Sequence, residues 1–230
     1  KIEDDRVVVP KLGPVRFYRY RALKGLVREV EIKRSAGRWY VCIACDLGEA
    51  PEKRPVRSVV GIDVGLNAFA VLSNGETYAN PRFFRKAEAK LADRQRVLSR
   101  RRTGSARRGR SKLLVIRTHE HIANQRLDHA RKVAKDVVSR FDLIAFEDLS
   151  IGNMTRGNFA KSINDAAWGQ LIRCIQLKAE EAGAWAVPVD PHGTSQRCSR
   201  CGTVVRKELG DRIHSCGMCS LVLDRDHNAA

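Results

Sequence analysis

Cys198-Ser-Arg-Cys201, fourteen further residues, Cys216-Gly-Met-Cys219 and then, almost at once, Asp224-Arg-Asp226-His-Asn228-Ala-Ala form the stretch on which the reading of this chain turns. Two Cys-x-x-Cys pairs at that separation predict a tetrahedral zinc site, because each pair sits on a knuckle turn that aims two sulfurs at one ion. Four thiolates leave no open position for water, so Zn²⁺ bound by Cys198, Cys201, Cys216 and Cys219 is expected to be structural. Gly202 and Gly217 fall on the knuckles, where permissive dihedrals are expected. The acidic cluster directly behind the ribbon predicts that it interrupts a catalytic core just before its last element.

Working upstream, two apolar runs each end in a carboxylate: Ser58-Val-Val-Gly-Ile62-Asp63 and Phe141-Asp-Leu-Ile-Ala-Phe146-Glu147. Read as buried strands that neighbour each other in one sheet, they bring Asp63 and Glu147 to its edge, where Asp226 can complete a three-carboxylate cluster. Hard oxygen ligands of that kind suit two Mg²⁺ ions about 3.5–4 Å apart and phosphodiester hydrolysis. Any one of these carboxylates alone fits a turn cap as well.

The rest of the chain is an α/β pattern. Residues 1–50 read as short strands of a small β-barrel or sheet module, with Ser35-Ala36-Gly37 turning between Val27–Ile32 and Trp39–Ala44. A polar, proline-bounded linker at 49–55 marks a boundary. Phe69 to Tyr78 reads as a hairpin with an Asn-Gly turn. Helices are expected at the ends of the 82–117 run, over about 120–140 with Ala130, Val133, Ala134, Val137, Val138 and Phe141 facing the core, and over about 166–181 with Gly183 as C-cap. Trp185–Val189 is a further strand. The expected segments are 1–55, a β-rich module; 56–190, the core; 191–222, the ribbon; and 223–230, the last core segment.

A net charge of +17, from 43 Lys and Arg against 26 Asp and Glu, favours a polyanionic partner, of which nucleic acid is the commonest. No long apolar run or signal peptide is visible, so no membrane partner is expected. With four of seven cysteines in the zinc pattern, a reducing, cytoplasmic setting is expected. Arg82 to Arg117 holds fourteen Lys and Arg against Glu88 and Asp93. Self-repulsion of that density calls for a counter-anion, and Lys86, Lys90, Arg94, Arg100, Arg101, Arg102, Arg107, Arg108 and Arg110 read as phosphate contacts that carry no base readout.

Gly61-Ile-Asp63-Val-Gly65, Phe146-Glu147-Asp-Leu-Ser, Thr194-Ser-Gln-Arg-Cys198-Ser-Arg-Cys201-Gly and Asp224-Arg-Asp226-His-Asn228-Ala-Ala, in that order, resemble the TnpB (OrfB) family of transposon-encoded nucleases related to type V CRISPR effectors. The resemblance runs from about residue 7 to the end. It implies a ribonuclease H-like (RuvC) core with an N-terminal β-barrel-type module, which contacts guide RNA in that family, and an inserted zinc ribbon. By the same resemblance Asp63, Glu147 and Asp226 are the catalytic carboxylates for Mg²⁺ (or Mn²⁺), with Asp148 and Asp224 as supporting or capping groups. It implies RNA-guided cleavage of target DNA, the partners being guide RNA and DNA of the nucleoid. The chain departs from the family in lacking a Met start, the inserted recognition module and the helix expected after Asn228-Ala-Ala, and is expected to be a fragment. Rival readings keep the site and change its use: an unguided endonuclease, a strand-transferring transposase, or a non-cleaving RNA-guided binder, against which the three carboxylates argue.

Other candidates read as structural. Cys42 and Cys45 point to opposite faces of one strand and belong to packing. Cys174 and Trp168 are expected in the core. His119, His121, His129 and His192 have no partner at ligand spacing, and His214 lies beside a site already filled by four cysteines.

Overall fold

The computed structural model describes residues 2–208 and 210–230. Lys1 and Leu209, within the expected 1–55 and 191–222 segments, lie outside the described residues. The chain divides into two units, Lys1–Ala50 and Pro51–Ala230.

In the first unit β1 (Ile2–Glu3), β2 (Arg6–Val9) and β3 (Gly13–Arg16) form an antiparallel sheet, and β4 (Leu26–Ser35) pairs with β5 (Arg38–Asp46). Ser35 is opposite Arg38, so the turn is the two residues Ala36 and Gly37, at φ 48° and 78°. Left-handed dihedrals at both central positions let this turn match the twist of the strands. The expected barrel is not formed among the described residues, whose strands fall in two separate open sheets. Closure requires one continuous, staggered ladder, and strands of two to four residues in β1–β3 are too short to supply it.

The second unit is a mixed α/β fold. It contains β6 (Val59–Asp63), β7 (Ala68–Leu72), β8 (Thr77–Ala79), α1 (Phe83–Ser99), α2 (Ala106–Arg140), β9 (Leu143–Glu147), α3 (Ile151–Met154), α4 (Ala160–Ala166), α5 (Trp168–Ala182), β10 (Trp185–Val189), β11 (Ile213–Ser215), β12 (Val222–Asp224) and α6 (Arg225–Ala229). Five strands form the central sheet in the order β10-β9-β6-β7-β8. The pairs β10–β9 and β9–β6 are parallel, and β6–β7 and β7–β8 antiparallel.

Alternation along β6 and β9 buries Val60, Ile62, Ile144 and Phe146. Val60, Ile62 and Ile144 pack with Ala130, Val133, Ala134, Val137 and Val138 of α2 and with Trp168, Leu171, Cys174 and Ile175 of α5. Each large aliphatic side chain buried there contributes about 1.5–3 kcal/mol. The basic run and the next helix are one element: α2 continues from Ala106 to Arg140 because nothing after Gly109 breaks it. Ser105 caps it, its hydroxyl accepting from the Arg108 amide at 3.2 Å. Gly183, at φ 68°, ends α5 as expected. No helix among the described residues is long and apolar enough to cross a membrane.

Candidate functional site

Parallel pairing of β6 with β9 sets Gly61 beside Ala145 and Ile62 beside Phe146. Asp63 and Glu147 are the next residues of each strand, so both carboxylates leave the same end of the sheet, on the face opposite Ile62 and Phe146. Carboxyl ends of strands are where open α/β sheets place their ligands. The loop beyond Asp63 is tied to the core by Trp168, whose Nε1 donates to Gly65 O at 3.1 Å.

The last segment reaches this edge because glycine lets it. A Cβ on Gly61 would lie 1.5 Å from Ala230 O, and one on Gly65 would lie 3.6 Å from Asp226 Oδ2. Gly75, at φ 89°, meets the His227 ring in the same way, and His227 Nε2 is 3.2 Å from Ser73 O. Asp224 is a cap: its Oδ1 accepts from the amides of Asp226 at 2.8 Å and His227 at 3.3 Å, which starts α6 and frees Asp226 to face the sheet. Asp148 is exposed.

Electrostatics tie the three acids together. Burial, then the charges of Glu147 and Asp226, push Asp63 up to about 7, against a smaller pull from Arg225 and the Val64 amide. Burial also raises Glu147, opposed by the Thr194 hydroxyl that donates to its Oε1. Asp226 is flanked by the guanidinium groups of Arg225 at 3.3 Å and Arg212 at 3.7 Å. Among the described residues, only the four cysteines bring three or more ligand atoms within 4.8 Å of one another. The acids are therefore coupled through their charges without their oxygens converging on one point.

The cysteine cluster fits a tetrahedral ion. Cys198 and Cys219 sulfurs are 3.6 Å apart and those of Cys201 and Cys216 3.5 Å, close to the roughly 3.8 Å edge of a tetrahedron with 2.3 Å metal–sulfur bonds. The Thr203 hydroxyl and amide hold the Cys201 thiol down at about 6. Gly202, at φ 74°, follows the first pair as expected, but Gly217 has no positive φ. The matching place in the second knuckle is Ser220, at φ 56°. Cys42 and Cys45 join no such cluster, and Cys174 is buried. His214 is fully buried beside the knuckles.

Of the nine cations read as phosphate contacts, Lys86, Lys90, Arg100, Arg101, Arg102, Arg107 and Arg110 are exposed along α1, the connecting turn and the start of α2. Arg94 and Arg108 are half-buried and brace the helical hairpin. Arg94 donates to Leu114 O at 3.1 Å, and Arg108 to Leu98 O at 3.0 Å and Arg101 O at 2.9 Å. Thr194, Arg212, Arg225 and the buried amide of Asn228 touch the site or its supports, and no spacing rule marks them. Thr194, Arg225 and Asn228 fall inside quoted motifs, which draw notice to the segments and leave these contacts unspecified.

Residues 33–158 match the family model OrfB_IS605, described as “Probable transposase”, and residues 168–230 match the model “Cas12f1-like, TNB domain”. Two curated relatives share the name “Putative RNA-guided DNA endonuclease”. InsQ of Escherichia coli K12 is 31% identical over 99% of this chain and 61% of its own length. The Streptomyces pristinaespiralis protein is 36% identical over 85% of this chain and 49% of its own length. The chain thus spans about half the length of these relatives. The protein in the cryo-EM structure of the Cas12f1–sgRNA–target DNA complex superposes with a TM-score of 0.54 at 19% identity, over 87% of this chain and 54% of that one, which is a likeness of fold. With more than half of its residues inside that family model, the chain belongs to the TnpB (IS605 OrfB) family.

Proposed function

We propose that this chain carries the nuclease centre of an RNA-guided DNA endonuclease of a transposable element, with Asp63, Glu147 and Asp226 as its catalytic carboxylates. The observation that carries the reading is the coupling of the three acids at one sheet edge, where Glu147 and Asp226 both raise Asp63. The sheet is then a ribonuclease H-like (RuvC) core of residues 56–190 and 223–230, the 191–222 insertion a zinc ribbon closed by Zn²⁺, and residues 1–55 a wedge-like β module. Bound Mg²⁺ (or Mn²⁺) would supply the activated water and neutralise charge on the leaving oxygen. The chain's own residues prepare for that. Asp63 would be held as a ligand in its ionised form, and Thr194 fixes one oxygen of Glu147. Arg225 and Arg212 pair with Asp226 and would share it with a bound cation. The exposed cations of α1 and α2 would seat a guide RNA–target DNA duplex by its backbone, and the InsQ name supports that partner class. A particle of this kind would work in the cytoplasm on nucleoid DNA.

The test is cleavage by the full-length reading frame loaded with RNA that co-purifies from cells carrying its locus. Glu147→Gln is expected to abolish cleavage and leave nucleic-acid affinity intact. Undiminished cleavage by that variant removes Glu147 from the mechanism, and joined DNA products in place of cut ends would make the reaction strand transfer.

A further inference from the structure

Two of the three carboxylates are held from the ribbon, although they come from different segments of the chain. Glu147 ends β9, yet its Oε1 accepts the hydroxyl of Thr194, four residues before Cys198. The same hydroxyl lies 3.1 Å from Pro191 O, which keeps it inside the turn leading into the first knuckle. Asp226 lies two residues before Asn228, which is only 4% exposed. The Asn228 side chain grips both sides of Cys198, with Nδ2 donating to Arg197 O at 2.8 Å and the Ser199 amide donating to Oδ1 at 3.0 Å. On the far side of the ribbon, Arg212 O accepts from the Arg225 amide at 2.7 Å while its guanidinium reaches Asp226 at 3.7 Å. The segment that leads into the first knuckle therefore supports Glu147, and the knuckle itself is bonded to Asn228, two residues from Asp226.

We propose that Thr194 and Asn228 are positioning residues, through which the folded cysteine knuckle sets Glu147 and Asp226 for divalent-cation binding. This rests on the reading of those two acids as ligands. Groups that hydrogen-bond a ligating carboxylate orient it and tune its basicity, and losing one typically weakens metal binding about 10- to 100-fold. A ribbon that served only as a local fold or as a nucleic-acid grip would have no such effect.

The experiment is Mn²⁺ titration, followed by electron paramagnetic resonance, of the zinc-loaded full chain, with zinc content and thermal midpoint measured on each sample. Thr194→Val, isosteric but without the hydroxyl, is expected to weaken Mn²⁺ binding about 10- to 100-fold at unchanged zinc content and midpoint. Thr194→Ser is expected to restore it. Wild-type Mn²⁺ affinity in Thr194→Val, with Glu147→Gln weakened, overturns the positioning role and spares the carboxylate site. Wild-type affinity in Glu147→Gln as well overturns both. Should Thr194→Val shed zinc, Asn228→Asp gives the second arm, because it keeps the acceptor for Ser199 and sets a charge against Arg197 O. Weakened Mn²⁺ binding with zinc retained supports the proposal, and unchanged binding overturns it.

Discussion

The carbonyl oxygen of Ala230 lies 1.5 Å from the position a Cβ would take on Gly61, so the last turn of the chain rests directly on the backbone of the strand that ends in Asp63. No side chain fits between them. Gly61→Ala must push this segment off β6 and carry Asp226 with it. The expected cost is about 1–3 kcal/mol of stability, as for other overpacked sites, together with weakened Mn²⁺ binding. Gly109→Ala is the control, since nothing lies within 4 Å of its Cβ position and alanine favours a helix. Thermal unfolding with zinc bound checks both. A Gly61→Ala protein with wild-type melting and Mn²⁺ affinity would show that the last segment is not held against β6.

Asp63 makes the stability of the chain depend on pH in a definite direction. Its folded pKa, about 7, is above the ordinary carboxyl value of 3.8, so the native state keeps a proton that the unfolded chain releases. This contribution is fully present below about 4 and is lost as pH rises through 7, amounting to a few kcal/mol once Asp63 is ionised. Urea unfolding between pH 5 and 8, with zinc bound and without Mg²⁺, is expected to show stability falling with pH, and Asp63→Asn to flatten the slope. Mg²⁺ should reverse the trend, because it favours the ionised form. A wild-type curve as flat as that of Asp63→Asn would mean that burial and neighbouring charge do not act on Asp63.

What could be read from the residues were the parts governed by local pattern. The apolar runs ending in Asp63 and Glu147, the Cys-x-x-Cys pairs and the core face of α2 follow from periodicity and spacing. The pairing of Ile62 with Phe146, which sets the two acids side by side, is a matter of register between strands more than eighty residues apart and leaves no local signal. Nor do Gly61, Gly65 and Gly75 announce that they face the last segment, since a glycine chosen for close approach looks the same in sequence as one chosen for a turn. The strands β4 and β5 are long enough for a barrel, but β1–β3, at two to four residues, decide against closure.

The second knuckle shows how such a misreading arises. Gly202 and Ser220 each follow the second cysteine of a pair, and each donates its amide at 2.9 Å to the carbonyl of that pair's first cysteine. Both are left-handed, and Ser220 pays the steric penalty that Gly202 avoids. Ser220→Gly is expected to stabilise the zinc-loaded chain by up to about 1 kcal/mol, the relief of strain less the freedom that glycine adds to the unfolded state. Gly202→Ala should cost about 1–2 kcal/mol, and Gly217→Ala, with nothing within 4 Å, almost nothing. Thermal midpoints decide: a large loss for Gly217→Ala beside no gain for Ser220→Gly would reverse the assignment.

The basic arm separates into two kinds of cation, and salt dependence can tell them apart. Arg100, Arg101, Arg102, Arg107 and Arg110 are exposed at the turn between α1 and α2, whereas Arg108 is spent on the carbonyls of Leu98 and Arg101 that close this turn. Each exposed arginine that meets a phosphate releases counterions, so its replacement by alanine should reduce the slope of log affinity against log salt by about 0.9 for duplex nucleic acid and leave melting unchanged. Arg108→Ala should do the opposite, lowering the melting temperature because Arg101 O loses the guanidinium and Leu98 O keeps only the Arg101 amide, with little change of slope. Fluorescence anisotropy on a labelled duplex across a salt series, set beside thermal unfolding, measures both. A slope lowered as much by Arg108→Ala as by Arg101→Ala, at unchanged melting, would place Arg108 on the nucleic acid and leave the turn to be held by its backbone alone.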